Sequence, residues 1–521
     1  MSGPAERTVL VAGAGPVGLL TACELARRGT AFRLIDRLPE PTTESRAIVV
    51  HARSLEMLAT VGAVDALIGA SVPLDGVELH SRGKRLAKIG FTSVDSPYPF
   101  SASLAQTETE RVLRERLAAL GGRVERPVEL VGLTQDADGV QATLRGPAGE
   151  EREEVYGWVV GADGGHSRVR SLVGRRLEGS FKGERFLLAD VDAEHDYDPR
   201  RMHIFFTPEG PFLLFPMPGR RVRLMAQLDG GDDATPTLKE TQAVADARAG
   251  GIRVTGSHWL SSFEIHHGQV PRYRTGRVFL AGDAAHIHSP AGGQGMNTGM
   301  QDAFNLAWKL DLAARGRATE ALLDSYHAER HPVARRVIQG TTALTRVATV
   351  RPLQVQRVRD HAASLLTSLG PVERKAAEQV EETDIAYPDS PVIDGGGEHA
   401  PDVANLRTAE GGTTTMHALL GSGAHTAMHL AIHAGDAAAA VGRLREAGDA
   451  LAHVVVLPGP ADPIDGATVV LDPGRRVARR YGAGDDGALV LVRPDGYVAG
   501  RADPPDPGAT LACLRRAVAT I

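Results

Sequence analysis

Three carboxylates, Asp36, Asp163 and Asp283, close short apolar runs of strand type at Phe32 to Ile35, Val159 to Ala162 and Arg277 to Ala281. At the end of a buried parallel strand a carboxylate stands where open α/β sheets bind ligands, able to accept hydrogen bonds from hydroxyl groups. Glycines accompany all three. Thr8 to Ala12 runs into Gly13-Ala14-Gly15-Pro16-Val17-Gly18, Asp163 precedes Gly164, and Gly282 precedes Asp283. Beyond Pro290-Ala291 stand Gly292, Gly293 and Gly295, which permit close backbone approach. A long helical pattern follows, with Ala303, Leu306, Ala307 and Leu310 on one face, and the free amides at its start suit an electron-rich ring or an anion. Asp, clustered Gly and Pro together are costly in a mere connection, so a ligand-binding role outweighs simple packing.

The elements that must position these groups follow from periodicity and punctuation. The first glycine run lies between a strand and a helix that Gly29 stops, and a second strand ends in Asp36. That is the spacing of a dinucleotide unit, in which glycines admit a pyrophosphate to the helix start and the acid meets ribose hydroxyls. The unit alone does not separate FAD from NAD. Ser45-Arg46-Ala47 precedes a helix expected from about Arg53 to Val61, so Arg46 can cover a phosphate. A further helix is expected from Gln106 to Leu120, then hairpins around Asp138-Gly139 and Pro147 to Gly149.

Phe186 to Val191, Met202 to Phe206, Phe212 to Met217 and Val222 to Gln227 read as strands of a β-rich insertion. Met202, Phe205, Phe212, Leu214 and Phe215 are its candidates for lining a pocket, against the commoner role of such side chains as core. Ala318 to Gly370 reads as largely helical with a break at Pro332, its charged residues on solvated faces. Pro388 to Pro401 reads as a linker. The following 120 residues or so alternate strands and helices, with strands at Ala452 to Leu457, Thr468 to Leu471 and Ala488 to Val492. Since every glycine motif precedes the linker, a chain ending near Asp389 is expected to fold and keep its cofactor.

With 521 residues, 42% hydrophobic and 23% charged, the chain has the composition of a globular protein of several domains. Its net charge of −6 leaves no electrostatic footprint for nucleic acid or an anionic membrane. No apolar signal core or run of 18 apolar residues occurs, which places the protein in the cytoplasm. The two cysteines, Cys23 and Cys513, support neither a disulfide framework nor a thiolate metal site. The 19 histidines show no HExxH-like spacing, so no metal is expected, and the adjacent His266 and His267 point to opposite faces of a strand.

Taken together, GAGPVG at Gly13 to Gly18, GADGGHSRVR around Asp163 and GDAAHIHSPAGGQGMN around Asp283 resemble the FAD-dependent aromatic hydroxylases, the single-component flavoprotein monooxygenases related to p-hydroxybenzoate and phenol hydroxylases. The likeness covers nearly the whole chain and is greatest to the aromatic-polyketide hydroxylases of actinomycetes. It implies an α/β fold: a Rossmann-like FAD domain (residues 1–176 and 268–387), a substrate-binding β-sheet domain (177–267) and a thioredoxin-like C-terminal domain without CxxC (402–521). By the same likeness Asp36 and Arg37 hold the ribose side, Arg46 and Gln106 the pyrophosphate region and Asp283 the ribityl end. Gly295, Met296 and Asn297 offer amides to the isoalloxazine, and Asp163 supports the fold. NADPH or NADH reduces FAD transiently, dioxygen gives a flavin hydroperoxide, and oxygen passes to a phenolic or polycyclic aromatic ring. Arg53 is the candidate catalytic cation, and Pro290 borders the substrate with Ala291. A Baeyer–Villiger oxygenation of a polyketide ketone stays open as the alternative, and a homodimer is compatible with the family.

Overall fold

The computed structural model describes residues 7–228, 235–288, 293–348, 370–421 and 423–519. Val9–Ala12 is buried at all four positions, as a strand covered on both faces must be. It pairs in parallel with Phe32–Ile35 on one side and Trp158–Gly161 on the other, Val11 lying opposite both Leu34 and Val160. The sheet extends to Val124–Glu125 at one edge and, through Val278–Leu280, to Arg274–Thr275 at the other. All three carboxylates therefore emerge at the carboxyl edge of one parallel sheet. The first helix, Pro16–Arg27, starts with Pro at a position where its missing N–H costs nothing. The long helix Gln294–Ala314 is buried along most of its length.

An eight-stranded sheet forms the second layer, in the order His286–Ile287, Arg253–Gln269, Glu178–Glu194, Arg221–Leu228, Gly210–Pro216, Met202–Thr207, Gly76–Ser81 and Lys84–Gly90. Three of these strands come from outside residues 177–267, so the insertion expected there is a sheet woven from three chain segments. Its longest strands are Glu178–Glu194, which extends the run expected at Phe186 to Val191 in both directions, and Arg253–Gln269, for which no run was expected.

The C-terminal region is a seven-stranded mixed sheet with helices, centred on His425–Leu430, Leu451–Leu457 and Ala488–Val492. Its separateness was overestimated from sequence. Between residues 388 and 401 Val392 and Ile393 are buried, and Ser390 Oγ donates to Glu329 at 2.6 Å. Bridges join Asp394 to Gly500 and His399 to Tyr497, so the segment is a packed strap. Trp308 and Leu322 of the long helices share one apolar core with Ala427, Leu489 and Leu514. The helix Glu320–Ala348 runs through Pro332 without stopping, and Glu329 and Arg330 are buried rather than solvated. Partners on neighbouring elements hold both residues, which offsets the backbone bond that proline removes. The expected helix beyond residue 348 lies outside the described residues up to Gly370, where Gly370–Val380 begins. Among the described residues no helix is long and apolar enough to cross a membrane.

Candidate functional site

Each glycine of the first motif has a distinct job. A Cβ on Gly13 would stand 2.3 Å from Ala162 O, and one on Gly18 would stand 1.9 Å from Gly13 O, so both sit where backbone meets backbone. A Cβ on Gly15 would meet nothing within 4 Å. The middle glycine leaves room for a ligand, and the Pro16-Val17 helix start directs amides at it. Asp36 Oδ2 accepts the Ala14 N–H at 2.7 Å and Oδ1 meets Arg126 at 2.9 Å, so Asp36 also holds the loop. Arg126 escaped the sequence reading, and Arg37 is exposed at the same edge.

Asp163 serves its own backbone. It accepts from Ser167 Oγ at 2.5 Å and from the amides of Arg168 and Val169, capping the short helix Arg168–Leu172. From that helix Arg170 donates to the carbonyls of Gly165, Asp283 and Ala284, tying the loop after Asp163 to the turn at Gly282.

Asp283 is water-accessible yet surrounded by protein, as a group at the floor of a cleft would be. Burial raises its pKa, opposed by His286, Arg46 and Arg170. Beneath it Asp302 accepts from Gly282 N–H at 3.1 Å and Arg330 Nε at 2.7 Å, and lies 2.7 Å from His286 Nε2. Burial opposes the charge of Asp302, but Arg330 and His286 hold its carboxyl below the usual range.

Arg46 is exposed and pairs with Glu44 at 2.9 Å, so its guanidinium can swing to an anion. Its backbone is fixed. Gln106 Oε1 accepts the Ala47 N–H at 3.1 Å, and Gln106 N–H reaches Ser45 Oγ at 3.0 Å. From the large sheet the buried Arg223, directly opposite Asp190 in register, pairs with that carboxylate at 2.6 Å and donates to the carbonyls of Arg46 (2.8 Å) and Ser45. The sheet thereby clamps the loop.

Gly293 caps the long helix in the left-handed region, φ 69°. Asn297 is spent on structure: Oδ1 accepts His51 N–H at 2.9 Å, and Nδ2 donates to Val49 O at 2.9 Å and Gly293 O at 2.8 Å. Those bonds aim the helix's first amides, Gly295 and Met296 among them, away from the helix body. Pro290, Ala291 and Gly292 lie outside the described residues.

Behind this helix start is a buried polar chain with no sequence signal. His51 Nδ1 lies 2.9 Å from Ser101 Oγ, which donates to Glu381 Oε1 at 2.5 Å, while Glu381 Oε2 accepts Ala52 N–H at 2.5 Å. His51 Nε2 faces Gly293, 3.6 Å from where a Cβ would stand. Burial pushes Glu381 up to about 7 against its bonds to Ser101 and Ala52. Burial also pushes the neighbouring Glu382 up to about 8, opposed first by Arg330.

Two expectations need correction. Arg53 is 3% exposed, with Glu56 at 2.6 Å, His399 at 2.9 Å and Asp495 O at 2.5 Å. Its charge anchors the C-terminal region instead of facing a ligand, because the strap folds back over that helix. Among the pocket candidates, strand alternation divides the set. Met202 and Phe215 lie on the face with Val49, Ala52, Leu213 and Met225. Phe205, Phe212 and Leu214 point to the opposite face and fill a core with Ala245 and Ile252. Leu213, Met217 and Met225 occupy the inner face that those three were expected to share.

The sequence profile of the FAD binding domain family matches residues 6–341. The chain is 37% identical to 6-methylpretetramide 4-monooxygenase of Streptomyces rimosus, over 95% of this chain and 90% of that one. Among solved structures, an anhydrotetracycline hydroxylase from Streptomyces rimosus superposes with a TM-score of 0.76 at 31% identity, over 98% of both chains. An aklavinone-11 hydroxylase solved with FAD and aklavinone gives a TM-score of 0.79 at 27% identity, again over 98% of both.

Proposed function

The chain belongs to the FAD binding domain family and is a flavoprotein monooxygenase, and from that premise we propose that it hydroxylates a polycyclic, phenolic, polyketide-type substrate. A single observation carries the reading: the open cradle at Gly15, the exposed Asp283 and the first amides of the long helix all converge on one edge of the parallel sheet. The arrangement fits FAD. Asp36 would take the ribose hydroxyls, the amides after Gly13 and the exposed Arg46 the pyrophosphate, and Asp283 the ribityl end. FAD, when bound, supplies electron uptake from NADPH or NADH and the activation of dioxygen.

The chain's own residues bind, orient and exclude water. Arg223 and Gln106 hold the backbone that presents Arg46, and Asn297 fixes the helix start that would meet the flavin ring. The sheet face of Met202, Leu213, Phe215 and Met225 offers an apolar wall for a flat aromatic molecule. The substrate class is supported by the relatives, which are named for 6-methylpretetramide and anhydrotetracycline and, in one structure, hold aklavinone.

The test is turnover of a panel of polycyclic phenols with NADPH or NADH under ¹⁸O₂, with products read by mass spectrometry and NMR. One ¹⁸O in a new ring hydroxyl is the expected product. An ester or lactone from a ketone would instead mark Baeyer–Villiger oxygenation. An FAD-loaded protein that forms only hydrogen peroxide with every aromatic tried overturns the reading.

A further inference from the structure

We propose that the outer face of the eight-stranded sheet carries a zinc-type metal site formed by Glu78, His80 and His203. No spacing in the sequence suggests it; strand pairing creates it. Gly76–Ser81 and Met202–Thr207 run parallel, with His203 opposite Glu78 and Phe205 opposite His80. Residues two apart on a strand share a face, so Glu78 and His80 project together and His203 joins them from the next strand.

The donor geometry is close to a coordination shell. His80 Nε2 lies 3.1 Å from His203 Nδ1, and Glu78 Oε2 lies 3.7 Å from the first and 3.9 Å from the second. Two ligands on a tetrahedral zinc at ~2.1 Å stand about 3.4 Å apart, so adjustments of tenths of an ångström would close the site. All three residues are less than 10% exposed. His203 Nε2 lies 2.9 Å from the carbonyl of Asp198, and donation there leaves the Nδ1 lone pair aimed at the other two groups. Such a carbonyl is the usual outer partner of a ligating histidine.

The surroundings favour neutral imidazoles. Burial, and then the neighbouring His203, lowers His80 to about 4, and burial lowers His203 as well. Glu78 also meets Arg85 at 3.3 Å and Arg201 at 3.8 Å. Arg85 is largely exposed and can swing away, while Arg201 keeps Asp198 at 3.3 Å. Three protein ligands leave the fourth position of a tetrahedral ion to solvent. Two imidazoles and one carboxylate suit zinc or cobalt better than calcium or magnesium.

This face carries Phe205 and Phe212 and is turned away from the Met202 side. The metal would therefore act structurally, pinning Gly76–Ser81, which comes from the N-terminal segment, onto the sheet built from later residues.

Untagged, FAD-loaded protein stripped with a chelator and dialysed is titrated with cobalt(II), then with zinc. One equivalent of cobalt giving the visible bands of a tetrahedral nitrogen and oxygen site, displaced by zinc, is expected. Glu78→Gln and His203→Ala should weaken that signal tenfold or more, with flavin absorbance and content unchanged. A wild-type protein that yields no such bands at stoichiometric cobalt overturns the proposal and leaves a hydrogen-bonded histidine pair only. Equal cobalt spectra in wild type and the His80→Gln/His203→Gln double variant overturn it too. Should the variants not fold, the wild-type spectrum and its displacement by zinc still decide.

Discussion

Replacing Arg493 by Met tests whether the C-terminal region is part of the main body. Arg493 is 1% exposed and gives four hydrogen bonds to two buried carboxylates, at 2.5 and 2.9 Å to Glu329 and at 2.5 and 2.9 Å to Asp495. Without it, Glu329 keeps Lys309 at 2.7 Å, Asn305 at 2.7 Å and Ser390 at 2.6 Å, while Asp495 keeps Asn305 at 3.1 Å. Two buried carboxylates then face one buried ammonium. Breaking a buried pair in this way costs about 3–5 kcal/mol, a large share of the roughly 5–15 kcal/mol that holds a protein folded.

The loss depends on pH in a definite direction. In the wild type, burial opposes the charge of Glu329, but Arg493 and Lys309 hold its carboxyl far below the usual range. Its stabilisation is thus complete above the unfolded pKa of about 4.3 and is lost only as the pH falls through the depressed value. In the variant, burial dominates and the folded protein retains a proton that the unfolded chain gives up. Variant stability then declines as pH rises, and the gap to wild type is wider at pH 8 than at pH 5. Urea unfolding at both pH values, followed by tryptophan fluorescence beside Trp308 and by flavin release, measures it. Adding Glu329→Gln removes one unpaired charge, so the double variant should be less destabilised than the sum of the singles. A gap below about 1 kcal/mol, or one that narrows from pH 5 to 8, refutes the reasoning.

Asp283→Ala should weaken FAD binding by about 1.5–3 kcal/mol through loss of a charge-assisted hydrogen bond, seen as a paler protein and a raised Kd on flavin titration; unchanged affinity would remove Asp283 from the site. A chain ending at Asp389 should be insoluble or poor in FAD, because Trp308, Leu322, Lys309 and Glu329 lose their cover, and a soluble yellow fragment would restore the independent-domain view. Glu381→Gln should match wild-type stability near pH 4.5 and exceed it at pH 8. The raised carboxyl, near 7 when folded, makes wild-type stability fall as pH rises from about 4.5 to 7. Parallel stability curves for the two proteins would show that Glu381 does not carry that burden.

What the sequence by itself determined was local and periodic. The Gly13 to Gly18 turn, the strands ending at Asp36, Asp163 and Asp283, and three strands of the C-terminal sheet were legible because backbone conformation there follows from a few adjacent residues, whereas its central strand His425–Leu430 was not read. Tertiary structure decided which way side chains face and what they meet. Strand alternation shows that Phe205 and Met202 point oppositely, but only the second layer reveals that the Met202 face turns toward Val49 and Ala52. Glu329 and Arg330 read as surface charges, and Arg53 as a cation facing the ligand, because nothing nearby in sequence is long or apolar enough to cover them. Arg53 and Glu329 are buried by a C-terminal region whose contacts form only when distant segments fold back, and Arg330 is buried against Asp302 and Tyr387. The Glu78, His80 and His203 cluster has the same origin: its donors meet because two strands far apart in the chain pair in parallel, a register that no local pattern encodes.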